Sequence, residues 1–514
     1  MTIVQKDKFI ENETPVGDLP EGWALPSVSD LIEINYGKGL KKSDRKVGSV
    51  PVYGSNGVVG SHNASLSKGP AIIVGRKGSV GFVHFSPRPC WPIDTTYYVD
   101  NFSGFDPQFL MHALRTLDLA DLDTSTAIPG LNRNDVYDQK IPLPPLNEQG
   151  RIAVKVEELL ARVNASKERL AKVSMIMKRF RQAVLAAVCS GRLTADWREK
   201  NANIEPANSL FERIHWNRKW QYIEECERAK AEKTRKPRKP TNLDDKLRTE
   251  NMVEFPTIPS SWIYIPLARV ASKGTDSIVD GPFGTSINVK EDYIDNGVPV
   301  VRINNIKAFS FSPNDLRFVS ESKFQQLVRH NILPGDVLLT KVGTVGESCV
   351  FPPSFDEALL STTGSCRIRV DRELADNKYI CIYLNSLKDY LNSIVSESVQ
   401  PFLNMRVIKN LPTAIPSRDE QNEIVRRVES MFKLADAVEK RVAFATARAK
   451  KLTRAILAKA FRGELVPTEA ELARRERRSY EPASELLARI KSDGESKGGS
   501  KSVNRIRRSQ RRLK

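Results

Sequence analysis

The chain has 514 residues and carries 80 Lys+Arg against 62 Asp+Glu, a formal net charge of +18, which at about 100–200 residues per domain implies two to four domains. No apolar run approaches the roughly 18–20 residues of a membrane span, and the N-terminal MTIVQKDKFIENETP has no apolar signal core. The six cysteines (Cys90, Cys189, Cys226, Cys349, Cys366, Cys381) show neither CxxC pairing nor regular spacing; membrane insertion, secretion, a disulfide framework and a metal site are all disfavoured, and a basic cytoplasmic protein is expected, with nucleic acid the first partner to test.

In chain order, residues 1–19 read as an N-terminal arm. Residues 20–146 hold short β-type runs bounded by Gly, Pro, Asn and Ser, namely Val50–Tyr53, Ala71–Val74, Gly81–Phe85 and Tyr97–Val99, then a helical stretch over Pro107–Leu119. A helical region follows over 147–200. Its apolar residues Ile152, Val156, Leu159, Val163, Leu170, Val173, Met177, Phe180 and Val184 alternate steps of four and three, with Ser166 as the break; sustained a/d spacing is a coiled-coil signal. Residues 201–257 form a charged connector containing KAEKTRKPRK (230–239); Trp216, Trp220 and Tyr222 near its start predict a docked helix. The pattern then recurs. Residues 258–418 carry Val298–Ile303, Asp336–Leu339, Cys349–Phe351 and Cys366–Val370 as strands and Asn377–Ile394 as helix, and residues 419–465 carry the second stripe: Ile424, Val428, Met431, Ala435, Val438, Val442, Ala445, Ala449, Leu452 and Ile456. Asn147 and Asp419 suit N-caps, and Gly191 and Gly463 suit C-terminal stops. The tail 466–514 is basic and is expected to be disordered.

The recurrence is an internal repeat. Asn147-Glu148-Gln149 falls on Asp419-Glu420-Gln421, and the same offset runs without a gap from Leu131-Asn132 to Gly191-Arg192-Leu193. Fainter matches precede it in the same order, among them Leu19–Trp23 with Ile258–Trp262 and Gly78-Ser79-Val80-Gly81 with Gly343-Thr344-Val345-Gly346. The reading is an α+β protein: two mixed domains with mainly antiparallel sheet, joined by two long helices in an antiparallel intramolecular coiled coil, with a pseudo-twofold axis that would set the two domains at opposite ends. An intermolecular zipper is the alternative.

The globular domains read as binders. No P-loop, metal-ligand spacing or nuclease carboxylate pair is present, and Pro352-Pro353-Ser354-Phe355 only approximates an amino-methyltransferase tetrad. Residues 38–77 instead gather Lys38, Lys41, Lys42, Arg45, Lys46, Lys68, Arg76 and Lys77 against the single acid Asp44. With Tyr53, Ser55, Asn56 and His62 they are the candidate DNA-binding residues Lys38, Lys41, Lys42, Tyr53, Ser55, Asn56, His62, Arg76 and Lys77: cations to position phosphates and loop polar groups to reach base edges. In the second domain the candidates are Ser286, Asn288, Arg302, Asn304, Asn305, Lys341 and Thr344. Any one of them can equally be a turn residue or part of a solvated face.

These parts together resemble the specificity subunit of type I restriction-modification systems. The resemblance rests on Pro51-Val52-Tyr53-Gly54-Ser55-Asn56-Gly57, Asp280-Gly281-Pro282-Phe283-Gly284-Thr285-Ser286, Gly297-Val298-Pro299-Val300-Val301-Arg302, and the run at 142–149 with its degenerate copy at 414–421. It implies two target-recognition domains that each bind half of a split double-stranded DNA sequence, and helices that fix the spacer and dock two methylation subunits, which recruit two restriction subunits. It also implies that S-adenosylmethionine, ATP and Mg²⁺ belong to those partners, with no cofactor in this chain, and that the assembled complex is an ATP-dependent endonuclease and adenine-N6 methyltransferase. A stiff helical ruler fits a spacer of about 6–8 undefined base pairs. The rival readings are a stand-alone sequence-specific DNA-binding protein and a coiled-coil scaffold with no DNA role. The charge distribution bears on both: residues 20–146 carry 12 basic and 12 acidic groups and residues 258–418 carry 17 and 16, so recognition must depend on local patches rather than on bulk charge.

Overall fold

The structure is a computed structural model that describes residues 19–102, 104–122, 130–237, 255–272, 276–395 and 402–492. Most of the N-terminal arm, residues 238–254 of the connector and residues 493–514 of the tail lie outside the described residues. The chain divides into two compact units, Met1–Lys172 with Val442–Lys514, and Val173–Arg441.

In the first unit, the β-branched and aromatic runs form a four-stranded antiparallel sheet in the order Asn35–Tyr36, Thr96–Val99, Ala71–Gly75, Val83–Ser86. Ala71–Gly75 is buried along its whole length, as its unbroken Ala-Ile-Ile-Val run requires of a central strand. A second sheet pairs Val50–Gly54 antiparallel with Gly57–His62 and parallel with Trp91–Pro92. Helix Pro107–Arg115 is capped by Asp106, whose carboxylate accepts from the Gln108 and Phe109 amides, and has Pro at its first position. Its Phe109, Leu110 and Leu114 join Ile72, Val74, Tyr97 and Val99 in the core.

The second unit repeats this plan. Its sheet runs Ile278–Asp280, Ser365–Ile368, Val337–Thr340, Ser348–Val350, again antiparallel throughout. A neighbouring sheet pairs Val298–Val301 parallel with Ala358–Leu360 and antiparallel with Arg317–Val319. Helix Asn377–Ser386 is capped by Asp376 as Pro107–Arg115 is by Asp106. The expected single helix over 377–394 is two, because the chain breaks at Leu387 before Lys388–Ser393.

The long helices span Leu146–Cys189 and Arg418–Ala460. Each starts one residue before the expected cap. Gly191 and Gly463 follow them with φ of 67° and 74°, the left-handed conformation that makes glycine the natural stop. Within the first unit Lys167 Nζ donates to Thr453 Oγ1 at 3.0 Å, and Arg151 pairs with Glu469 at 2.7 Å. Within the second unit Arg181 pairs with Asp436 at 2.6 Å and Glu439 at 3.0 Å, and Asp196 with Arg427 at 2.6 Å. In each unit the numbers rise along one helix as they fall along the other, so the segments pair antiparallel.

Most of the expected seam is at the interface. Ile152, Val156, Val163, Ile424, Val428 and Ile456 are buried, and Leu159, Leu170, Val173, Phe180, Met431, Val438 and Val442 are half-buried, as expected where two helices alone cover a stripe. Leu452 is a correction: it is 49% exposed. A step of four from Ala449 brings Thr453, not Leu452, to the seam, where it meets Lys167.

The start of each long helix is a joint. Trp23 Nε1 donates to Glu148 Oε1 at 3.0 Å, and Trp262 Nε1 donates to Glu420 Oε2 at 2.9 Å. Gln149 Oε1 accepts from the Asp106 amide at 3.1 Å, and Gln421 Oε1 from the Asp376 amide at 2.7 Å. Both glutamates are buried. Each also receives a residue following the antiparallel helix: the Glu469 amide donates to Glu148 at 2.8 Å, and the Thr194 hydroxyl and Arg198 guanidinium donate to Glu420. Burial pushes the Glu148 carboxyl up, against the pull of the Glu469 amide, the Trp23 indole and Arg151.

Two expectations change. The tail 466–514 is not a disordered extension over its first part: helix Glu469–Glu476 starts with a Thr468–Glu471 capping box, Ala470 and Ala473 are buried, and Ala483 and Leu486 enter the first unit's core. The composition of the charged run hid these four apolar residues. Leu486→Ala is expected to lower stability by about 2–5 kcal/mol, read from the unfolding midpoint. In the connector, Ala207–Ala231 is a helix as predicted, but Trp216 and Trp220 are 54% and 56% exposed. The opposite face docks, through Leu210, Ile214 and an Arg218–Asp371 ion pair.

Candidate nucleic-acid interface

In the first domain, four loops converge where strands Asn35–Tyr36 and Ala71–Gly75 end. The Gly37 amide donates to Thr96 O, the Lys38 amide to Pro92 O, the Arg76 amide to Thr95 O and the Leu131 amide to Arg76 O. The tight turn after Val50–Gly54 also reaches this end: a Cβ on Gly78 would lie 3.4 Å from Ser55 Oγ. Lys38, Lys77 and Asn56 are exposed here, with Ser55 and Arg76 partly so; Lys41 and Lys42 are exposed at the turn Lys42–Asp44.

Tyr53 and His62 take structural positions instead. Tyr53 is 8% exposed, packs with Ala71, Ile73 and Cys90, and points its hydroxyl at Phe85 O. His62 accepts the Lys46 amide at Nδ1, 3.0 Å, and stands edge-on to Trp91. Two residues absent from the sequence-based set join the loop end. Tyr36 is 50% exposed, and the Arg76 and Arg133 guanidinium carbons each lie 5.1 Å from its ring centroid. Their sequence separation is the reason they were missed: Tyr36 looks like an ordinary strand end, and Arg133 lies among the aspartates of 94–138.

The second domain builds the equivalent loop end with different chemistry. The Leu403 amide donates to Lys341 O as Leu131 does to Arg76 O, and the Val342–Phe402 bridge matches Lys77–Gly130. Lys341 is fully buried; its ammonium pairs with Asp280 at 3.1 Å and lies 5.1 Å from the Phe402 ring centroid. Its charge is spent inside the protein. Asn305 is also fully buried, with its amide donating to Ser312 O and Asn314 O and its oxygen accepting the Arg302 amide. Arg302 is partly exposed and bonded to Asp315, and holds that carboxyl below the usual carboxylate range. Asn288 is exposed in a turn with Asp292, whose carboxyl is held low by the Asn288 amide and Lys323. Asn304 and Thr344 are exposed, and Ser286 is partly so. Phe283 stands out at 79% exposed on the Gly281–Ser286 loop; Gly281 is required there, since a Cβ would meet Thr362 O at 2.1 Å.

Fold and loops together define a repeated recognition scaffold: two copies of one sheet-and-helix domain, each with a polar loop end and a long helix leaving by the same joint. A family model described as the type I restriction modification DNA specificity domain matches residues 20–175 and again 283–443. The chain belongs to this family. It is 27% identical over 525 residues to the type I restriction enzyme EcoKI specificity subunit of Escherichia coli strain K12, spanning 94% of this chain and 98% of that protein. It is likewise 27% identical to the EcoBI specificity subunit of Escherichia coli over 518 residues, 96% of this chain and 97% of that one. A chain from a solved structure concerned with complex assembly and conformational transition of the type I R-M system has the same fold, with a TM-score of 0.59 at 17% identity over 87% of this chain and 99% of that chain. No described helix is long and apolar enough to cross a membrane.

Proposed function

We propose that this chain is the DNA-reading subunit of a type I restriction-modification complex, in which each globular domain reads one half of a bipartite duplex target. One observation carries the reading. The two family matches fall one on each of two domains that share strand order, loop position and helix joint, yet differ in the side chains at the loop end: Tyr36, Arg76 and Arg133 in one, Asp280, Lys341 and Phe402 in the other. A constant scaffold with two unlike reading heads is what a split, asymmetric target asks for.

The long helices fix the spacer in this reading and dock two methylation subunits, which recruit two restriction subunits. Met175, Ile176, Leu434 and Phe444 support the docking role, since they are large apolar side chains 53–73% exposed on those helices. The chemistry belongs to the partners: S-adenosylmethionine for adenine-N6 methylation, ATP and Mg²⁺ for DNA cleavage. The chain itself contributes recognition and operates in the cytoplasm.

The test is to produce the chain with its methylation subunits and sequence the methylated sites. The expected product is two short defined half-sites separated by about 6–8 undefined base pairs; a contiguous target, or binding without sequence preference, overturns the reading. Adding one heptad to each long helix lengthens the pair by about 10 Å. It should widen the spacer by about three base pairs at 3.4 Å each, with both half-sites unchanged.

A further inference from the structure

The loop end of the first domain holds two positive charges that no carboxylate pairs among the described residues. Arg76 Nη1 donates to Asp94 O and Arg133 Nη1 to Ile34 O, each a long 3.4 Å contact to a backbone carbonyl. Neither guanidinium has a carboxylate within ion-pair distance among the described residues. Both lie 5.1 Å from the Tyr36 centroid, Arg76 also 5.7 Å from Tyr97 and Arg133 5.7 Å from Tyr137. The rings are themselves tied down. Tyr97 donates its hydroxyl to Leu131 O at 2.9 Å, Tyr137 accepts the Ile34 amide at its hydroxyl oxygen at 2.9 Å, and Tyr36 meets Tyr97 edge-on at 5.1 Å. Two like charges are thus held beside one half-exposed ring by an aromatic frame.

The matching position of the second domain shows the closed alternative. There the cation is a buried lysine neutralised by Asp280, which stands on its strand where Tyr36 stands on its own: Asp280 pairs with Cys366, and Tyr36 with Tyr97. The fold therefore does not itself need two guanidinium groups without a carboxylate partner at this position.

We propose that Arg76 and Arg133, oriented by Tyr36, read a guanine edge in the half-site of the first domain. Guanine presents O6 and N7 as a pair of acceptors in the major groove, which the planar guanidinium fork matches with two parallel hydrogen bonds. Orientation is what separates this role from phosphate binding. Lys38, Lys41, Lys42 and Lys77, exposed on flexible stems, suit the backbone, whereas arginines held over an aromatic ring and tied to backbone carbonyls are restricted in direction. The inference rests on the proposed bipartite DNA reading and names the residues that carry it out in one domain.

The experiment uses the chain assembled with its methylation subunits and a randomised DNA library, with wild type compared against Arg76→Lys, Arg133→Lys and Tyr36→Leu. Lysine keeps the charge and loses the fork. The expected result is a G·C pair in the first domain's half-site at which Arg76→Lys or Arg133→Lys lowers discrimination about 5–150-fold. Tyr36→Leu, which keeps both arginines, should relax the same position. Retention of the second domain's half-site in every variant shows that the complex is folded and assembled. Should one arginine variant fail to assemble, the other arginine variant and Tyr36→Leu still decide the matter. A first half-site without a G·C pair, or unchanged base preference in the assembled variants, overturns the proposal; so does weakening that is uniform across sequences, the mark of a phosphate contact. If wild type itself shows no bipartite preference, it is the broader reading that has failed.

Discussion

Exchanging residues 20–146 for the corresponding segment of a relative with another target should replace one half of the recognised sequence and leave the other half intact. The size of the effect follows from base-pair energetics. Each mismatched pair costs about 1–3 kcal/mol, roughly additively, so three changed positions shift the preference between old and new targets by about 3–9 kcal/mol, or two to six powers of ten. The exchange is structurally feasible because the segment's polar joint to its helix recurs in the second unit. It reaches the helix through Trp23 on Glu148, the Asp106 amide on Gln149 and His112 on Glu157, and a donor segment that supplies the tryptophan, the capping aspartate and the histidine brings these partners with it. Sequencing of methylated sites is the readout. A change in both halves would show that the domains do not read independently.

Glu420→Ala should be the most destabilising single substitution at either joint, by about 3–5 kcal/mol. The carboxylate is 2% exposed and accepts from the Trp262 indole, the Thr194 hydroxyl and the Arg198 guanidinium. Truncation leaves three donors facing a small cavity, one of them charged. Glu420→Gln keeps an oxygen for one or two of these donors and should cost about half as much. Calorimetric unfolding of the two variants separates loss of the charge from loss of the acceptors. Equal and small effects would show that water replaces the carboxylate and that the joint is held by packing alone.

The repeat was legible because the joint conserves chemistry as well as pattern. Asx-Glu-Gln recurs since both glutamates and both glutamines have the same donors to receive. The strands were legible wherever burial is complete, as in Ala71–Gly75 and Val337–Thr340. Legibility failed where a residue's role depends on what the fold brings from far along the chain. Lys341 looks like a phosphate contact until Asp280 arrives from 61 residues away to neutralise it. His62 and Tyr53 look like loop groups until the sheet buries them. Arg133 and Tyr36 share no local motif, and hydrogen bonds of Arg133 and Tyr137 to the Ile34 backbone set them side by side. Leu452 fitted a stripe counted by threes and fours, but the true phase of the helix there runs through Thr453.

The division of the chain also sets an order for its folding during synthesis. The second unit is one continuous segment, Val173–Arg441, so its core can close as soon as that stretch has left the ribosome. The first unit is split, and its core includes Ile456, Leu457, Phe461, Ala483 and Leu486 from the end of the chain. Residues translated first must therefore wait for the last ones before their apolar surface is covered. Long-range closure of this kind is slow and leaves hydrophobic surface open in the interval, which makes the earliest-made domain the last to finish and the most exposed to aggregation and proteolysis on the way.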